Sequence, residues 1–462
     1  MNPRFHAVIE SRRQFIWLLS ALLCVLTIGP SLQYAHGAVS PRRPNIIVLM
    51  ADDLGYGDLG CYGQKAIKTP NLDKFASEGI RCTDYYAGAP GSAASRYVFL
   101  TAHHTGNGRI RGDAAIDGGT GPEKIVPLGA GESTLAHQLK GLGYRTGFAG
   151  QWMFGGKGTT GVPTSQGFDE WFGFLSAEEA SLEYPPMMWR NGEKVALPDN
   201  QNGKQVKPAQ ESLTDYALAF AAQHYEKPFF LWLNWRFPNA KGEIPGRDQA
   251  FGAFPPTHRG YAAMVSQIDK DVGRIITVLK ALNIDDRTLI LFTSDNGPAE
   301  RHDGTMNSAG PFRGQRGTFY EGGVRVPLLV RWPQTVPPGV IYEPACFAAD
   351  MLPTIVEAAG AVASTELDGV SLFPFWLGMP VVPDSRTIYW EKHENGLQQG
   401  GRWQNWKGIL DTSNNKFELY DLSKDRAETQ NVAQKNPALE KRFRGVFQIE
   451  HRPSPNWPDR KP

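Results

Sequence analysis

The stretch Asn-Ile-Ile-Val-Leu-Met-Ala-Asp-Asp at 45–53, followed by Leu54-Gly55-Tyr56-Gly57, constrains the fold more than any other. A run of β-branched and large apolar residues without alternation reads as a strand buried on both faces, as in the middle of a parallel sheet. It stops at two adjacent carboxylates and a glycine-rich turn. In open α/β sheets ligands bind beyond the carboxyl ends of the strands, so Asp52 and Asp53 stand where chemistry is expected. Neighbouring carboxylates repel unless a cation or a proton lies between them. The pair reads either as a turn with an N-cap aspartate or as half of a site for a hard cation, which wants oxygen ligands.

The same pattern returns downstream. Tyr261, Met264, Val265, Ile268, Val272, Ile275, Ile276 and Leu279 keep helical spacing, which predicts an amphipathic helix over 259–282. It leads into a buried strand at Thr288–Thr293 and then Ser294-Asp295-Asn296-Gly297. Asp-Asn-Gly alone is usually a turn. At the end of a hydrophobic strand in a βαβ chain it falls at the same sheet edge as Asp52 and Asp53. Four oxygen-bearing side chains would then meet around one ion, and the repeated pattern favours the metal reading over the turn.

A third stretch runs Gly88-Ala-Pro-Gly-Ser92-Ala-Ala-Ser-Arg96 into the apolar residues up to Thr101. A glycine- and proline-containing loop feeding a helix start, with backbone N–H groups and the helix dipole, favours an anion. Arg96, one turn on, could hold the same anion or orient Ser92. The other expected elements are helices at 71–80, around 132–142, at 350–359 and near 437–449, the last with Leu439, Phe443 and Phe447 on one face. Strands are expected at 146–150, Phe229–Trp235, Thr387–Trp390, Trp406–Leu410 and Phe417–Leu422. Residues 311–332 read as a basic, glycine-rich loop before another strand.

Together these predict an α/β fold with a large, mostly parallel central sheet flanked by helices over 42–375. A small C-terminal α+β subdomain with an antiparallel sheet follows over 376–462. The chain's 48 basic and 47 acidic residues nearly cancel, which argues against a nucleic-acid partner. Residues 1–38 read as an export signal, with Arg12-Arg13 before an apolar run from Phe15 to about Ile28 and small residues around Ala35–Ala38. Ser11–Ile16 resembles the bacterial twin-arginine signal, giving a periplasmic or extracellular destination; a retained N-terminal anchor is the other reading. Of the four cysteines, Cys24 lies in the signal, and Cys61, Cys82 and Cys346 have no metal spacing. No disulfide framework is expected.

With these residues in view, the chain resembles the type I sulfatases, members of the alkaline-phosphatase-like superfamily. The resemblance rests on Asn45–Asp58, Thr69–Asp73, Gly141–Thr146, Gly167–Asp169, Thr293–Gly297, Tyr320–Pro327 and Glu418–Leu422 with Asp425 and Glu428. In that family a Cys or Ser, with Pro or Ala two residues later and Arg four later, is oxidised to formylglycine by a maturase. Ser92, Ala94, Arg96 and Thr101 occupy this motif without a gap. The resemblance implies Ca2+ bound by Asp52, Asp53, the modified Ser92, Asp295 and Asn296. It implies a formylglycine hydrate as nucleophile, with Arg96 stabilising that hydrate and Arg316 binding sulfate in place of a lysine. The implied partner is a sulfated small molecule or glycan.

Several positions depart from the family pattern. Gly-Lys-Trp-His stands as Gly150-Gln151-Trp152-Met153, and the expected Pro-His after the Phe229–Trp235 strand is Pro238-Asn239. The sulfate-binding lysine and the usual acid for the leaving alcohol are therefore absent. Losing one general acid typically costs 10²–10⁴-fold, and aryl sulfates with good leaving groups would suffer least. Gln151, Asn239 and His302 remain as candidate substrate-binding residues, and His103, His104 and His258 are other possible proton sources. Three readings follow: a calcium-dependent sulfatase with a remodelled pocket, a weak or inactive relative that binds sulfated glycans, and a phosphate or phosphonate monoester hydrolase using Ser92 directly. Specificity would sit in the loops at 106–125, 154–165, 178–208 and 237–258.

Overall fold

The apolar run at 45–52 is a strand buried along its whole length, and its side chains divide between two cores. Ile46, Val48 and Met50 enter one apolar cluster; Ile47, Leu49 and Ala51 enter the other. This is the period of two that a doubly covered strand requires. The computed structural model describes residues 43–113, 125–239, 248–363, 366–380, 385–394 and 396–459. The expected export signal at 1–38, and parts of the loops at 106–125 and 237–258, lie outside them.

The first strands are β1 (Asn45–Asp52), β2 (Ile80–Cys82), β3 (Tyr85–Tyr86), β4 (Arg145–Gln151), β5 (Glu170–Phe174), β6 (Met187–Arg190), β7 (Glu193–Ala196) and β8 (Phe229–Pro238). There follow β9 (Thr288–Ser294), β10 (Leu328–Arg331), β11 (Val340–Tyr342), β12 (Cys346–Phe347), β13 (Ile388–Lys392), β14 (Gln398–Trp403), β15 (Trp406–Asp411) and β16 (Lys416–Asp421). The large sheet has the order β11-β2-β10-β9-β1-β8-β4-β5-β6-β7. Its centre, β9-β1-β8-β4-β5, is parallel throughout, with antiparallel pairings at β10–β9, β10–β2, β5–β6 and β6–β7. One face is covered by the helices Ser92–Thr101, Leu135–Gly141 and Met351–Ala358, which share a core that includes Val98, Leu139 and Ile355. The other is covered by Pro70–Ser77, Ala209–His224 and Pro256–Ala281, through Phe75, Phe220 and Ile268 among others.

The expected mostly parallel sheet between helices is thus the observed architecture, and so is the small antiparallel sheet, β13-β14-β15-β16. The helix Pro437–Glu450 lays Phe443 and Phe447 against Leu419 and Tyr389 of that sheet. Strand β14, Gln-Gln-Gly-Gly-Arg-Trp, shows no apolar alternation and is not anticipated by pattern. Its burial comes from close approach: a Cβ on Gly400 would stand 2.9 Å from the Phe319 ring, and one on Gly401 2.7 Å from Phe447. Cys61, Cys82 and Cys346 are free thiols. No helix among the described residues is long and apolar enough to cross a membrane.

The four-stranded sheet is fastened to the rest by charge. Lys407 Nζ on β15 lies 2.8 Å from Glu321 Oε1, and both side chains are fully buried. Glu321 Oε2 takes a 2.9 Å bond from Arg325 and a 2.8 Å bond from the Tyr86 hydroxyl. Burial would raise the Glu321 carboxyl, but Lys407 and Arg325 overcome it and hold it below the usual carboxylate range. Glu428 Oε2 accepts the Glu321 backbone N–H at 2.6 Å, so the C-terminal region also fixes the start of the Glu-Gly-Gly turn. Breaking a buried ion pair from one side costs about 3–5 kcal/mol. Lys407→Met is expected to lower unfolding stability in urea by that order, and adding Glu321→Gln to recover part of the loss.

Candidate active site

Parallel strands bring their carboxyl ends to one edge, and four of them supply the site. β1 ends in Asp52 and passes to Asp53, β9 passes to Asp295 and Asn296, β8 passes to Asn239, and β4 ends in Gln151. Asp53 has a left-handed backbone (φ 61°), and its N–H donates to Asp295 Oδ1 at 3.0 Å. Carboxylate oxygens of Asp52, Asp53 and Asp295 lie within 4.8 Å of one another, all buried. Asn296 Nδ2 donates to Asp53 Oδ1 at 2.6 Å.

Ser92 is the first residue of its helix and is 2 % exposed. Its hydroxyl lies 3.2 Å from both Asp52 Oδ1 and Asn296 Oδ1. Arg96, fully buried one turn on, places Nη2 3.0 Å from Asp52 Oδ1 and 2.7 Å from Asp295 Oδ2. Its Nη1 donates to the Gln151 carbonyl at 3.1 Å and lies 3.8 Å from Met153 Sδ. Arg316 Nη1 donates to Asp53 Oδ2 at 2.8 Å. Asn239 approaches from the other side, with Nδ2 3.4 Å from Asp52 Oδ2. The structure thus gathers Asp52, Asp53, Ser92, Arg96, Asn239, Asp295, Asn296 and Arg316. Gln151 enters through its backbone carbonyl.

His302 is placed elsewhere. Its ring packs between those of His258 and Tyr261, at centroid distances of 4.7 and 4.4 Å. His103 and His104 lie near Asp368, and His104 Nε2 is 3.0 Å from Glu450. Among the described residues no histidine makes a hydrogen bond, ion pair or ring contact with the Ser92 cluster.

One participant is not singled out by the sequence. Asp113 Oδ1 accepts the Ala93 N–H at 2.7 Å, and Oδ2 receives Arg316 Nη2 at 2.8 Å. It therefore joins the start of the Ser92–Thr101 helix to Arg316. Arg-Gly-Asp in a loop has no distinguishing spacing; only its position in the 106–125 loop pointed there.

The electrostatics are those of an anionic pocket partly offset by two guanidinium groups. Burial, reinforced by Asp52, pushes Asp53 well above the carboxylate range. Burial also raises Asp295, against the pull of Arg96. Buried oxygen donors with excess negative charge match the donor set of a hard cation. Asp52, Asp53, Asp295 and Asn296 are the residues that could hold one.

Residues 44–361 match the family described as Sulfatase, and residues 314–444 match N-sulphoglucosamine sulphohydrolase, C-terminal. Arylsulfatase A of Homo sapiens is 31% identical over 429 residues, covering 87% of this chain and 79% of the relative. N-acetylgalactosamine-6-sulfatase of Canis lupus familiaris is 31% identical, covering 78% and 70%. The crystal structure of Ps i-CgsB in complex with k-i-k-neocarrahexaose superposes with a TM-score of 0.78 at 28% identity, covering 91% of this chain and 95% of that one. The chain belongs to the type I sulfatase family. Its activity is that of a sulfuric ester hydrolase.

Next to the site, the Asp58 carboxyl is fully buried and accepts bonds from Tyr261 and from Gly55 N–H. Burial pushes it up to about 7. A carboxyl raised in the fold contributes stability that is complete below its unfolded value and lost as pH rises through the folded one. Thermal melts are expected to show stability falling between pH 4 and 7 with an Asp58 contribution. Asp58→Asn should flatten that fall; an unchanged slope would exclude Asp58 as its source.

Proposed function

We propose that this chain cleaves a sulfate monoester of an aryl or carbohydrate substrate through a formylglycine made from Ser92, with calcium held beside it. The observation that carries this is the position of the Ser92 hydroxyl, equidistant from Asp52 and Asn296 at the head of a buried helix. A formylglycine there supplies, as its hydrate, an oxygen nucleophile that can later release sulfate by collapsing to the aldehyde. Asp52, Asp53, Asp295, Asn296 and residue 92 would hold calcium, which when bound would supply Lewis acidity and a template for sulfate oxygens.

The chain's own residues do the rest. Arg96 neutralises Asp52 and Asp295 and fixes the first turn of the nucleophile helix. Arg316 presents a planar guanidinium able to bind sulfate oxygens as a fork, where a lysine would offer a point charge. Asn239 can hydrogen bond but cannot act as a general acid. Carbohydrate substrates are favoured by the neighbour complexed with a neocarrahexaose. We read 42–375 as the catalytic domain, 376–462 as a C-terminal subdomain, and 1–38 as a twin-arginine-type signal delivering the protein outside the cytoplasm.

The second reading, a relative that binds sulfated glycans with little turnover, is favoured by Gln151, Met153 and Asn239 at positions where a lysine and two histidines are expected. Peptide mass spectrometry on protein from its own host separates the two. A loss of two hydrogens at Ser92, or the corresponding hydrate, with sulfate release from 4-nitrophenyl sulfate, is expected. Ser92→Ala should abolish turnover. An unmodified serine would sink the formylglycine mechanism. Calcium is expected to raise the melting temperature of chelator-treated protein, by about 2.7 kcal/mol of added stability at one hundred times its Kd; no shift would argue against the cation site.

A further inference from the structure

Beyond Arg316 the site opens into a cavity of about 240 Å³, walled by Pro90, Gly91, Asp113, Arg316, Lys392 and Glu394. Four separate parts of the chain meet there: the loop into the Ser92–Thr101 helix, the 111–113 segment, the Arg316–Gly317 loop, and the end of β13 in the antiparallel sheet. The cavity adjoins the Ser92 cluster through Gly91, Ala94 and Arg316. Gly91 precedes Ser92, and Arg316 spans from Asp53 to Asp113 with 2.8 Å bonds at both ends.

A sulfatase with a poor leaving group needs a proton donor, and Asn239 cannot be one. The wall offers few candidates. Arg111, which also lines the cavity, and Arg316 stay charged at any working pH. Asp113 is committed to Arg316 and the Ala93 N–H, which hold its carboxyl below the usual range against the effect of burial. Lys392 Nζ donates one of its three N–H groups to the Gly317 carbonyl, and burial lowers its ammonium. Glu394 is the carboxyl on this wall that Arg316 does not bind. Its carboxyl lies against Gly112, where a Cβ would come within 2.5 Å of Oε1, and beside the Asp113 backbone N–H.

We propose that Glu394 is the catalytic proton donor to the leaving oxygen, the role left open by Asn239, with the leaving group seated in this cavity. This rests on the sulfatase reading above. As the S–O bond to the leaving group breaks, its electron pair stays on that oxygen, which takes the proton from the Glu394 carboxyl. Sulfur gains a bond to the hydrate oxygen carried at residue 92, whose hydroxyl proton passes to water, and Glu394 is left as carboxylate, to be reprotonated from water. Burial, with the Asp113 charge added, raises the Glu394 carboxyl while Arg316 lowers Asp113. Two carboxyl groups pushed apart in this way are the arrangement from which acid and base roles arise.

The test compares wild type with Glu394→Gln on ring-substituted phenyl sulfates, from 4-nitrophenyl to 4-methoxyphenyl, using protein matured in its host. Glutamine keeps the shape, and a thermal melt checks that the fold is retained. The expected loss in kcat/KM is less than about 3-fold for 4-nitrophenyl sulfate and about 10²-fold for the 4-methoxyphenyl ester. The high-pH limb of the wild-type profile should vanish in the variant. A leaving-group-dependent loss in Lys392→Gln with none in Glu394→Gln would assign the proton to Lys392 and overturn the proposal. An equal loss on every ester, or none, would overturn the assignment while leaving the sulfatase reading intact. Wild-type protein that releases sulfate from no ester would overturn both.

Discussion

Three aspartates crowd one edge of a parallel sheet, buried and within 4.8 Å of each other, and the rest of the site answers that crowding. Strand topology makes it unavoidable, because β1 and β9 are parallel neighbours and each ends in acidic residues. Arg96 offsets Asp52 and Asp295, and this demands the Ser92–Thr101 helix at its observed height. Arg316 offsets Asp53, and this demands the loop before the Glu-Gly-Gly turn. That turn is anchored by Lys407 and Glu428 from the C-terminal region. A chain of electrostatic dependence thus runs from the first strand to the last hundred residues.

Much of this was legible in the sequence because it depended on strand ends. Uninterrupted apolar runs stopping at Asp52-Asp53 and Asp295-Asn296 locate a sheet edge without knowledge of anything between them. The helix Ser92–Thr101 was legible for a similar reason: a glycine-rich loop leads into an apolar run. What escaped depended on contacts across the chain. Strand β14 is held by aromatic rings seated over Gly400 and Gly401, a fit that no local pattern encodes. The helix Ala209–His224 buries mainly small residues such as Ala209, Ala217 and Ala221, which gives its periodicity little contrast. Asp113 matters because Arg316 and Ala93 come to it from elsewhere. His302 is a histidine whose surroundings, not its spacing, decide its role.

The replaced pocket residues have a common electrostatic sense. A lysine and a histidine beside Arg96 would crowd three cationic groups. Here Arg96 meets the Met153 thioether and the Gln151 backbone carbonyl, the latter available from any residue at that position. Arg96 and Arg316 are the guanidinium groups that offset the three aspartates.

The burial of Ser92 also bears on the order of events in the life of the chain. Its helix shares a core with the helix Met351–Ala358, made far later in synthesis, and Ser92 is 2 % exposed in the folded chain. On the proposed reading, an enzyme converting Ser92 would have to reach it before the Ser92–Thr101 helix is packed into the folded core, so that folding and modification would compete in time.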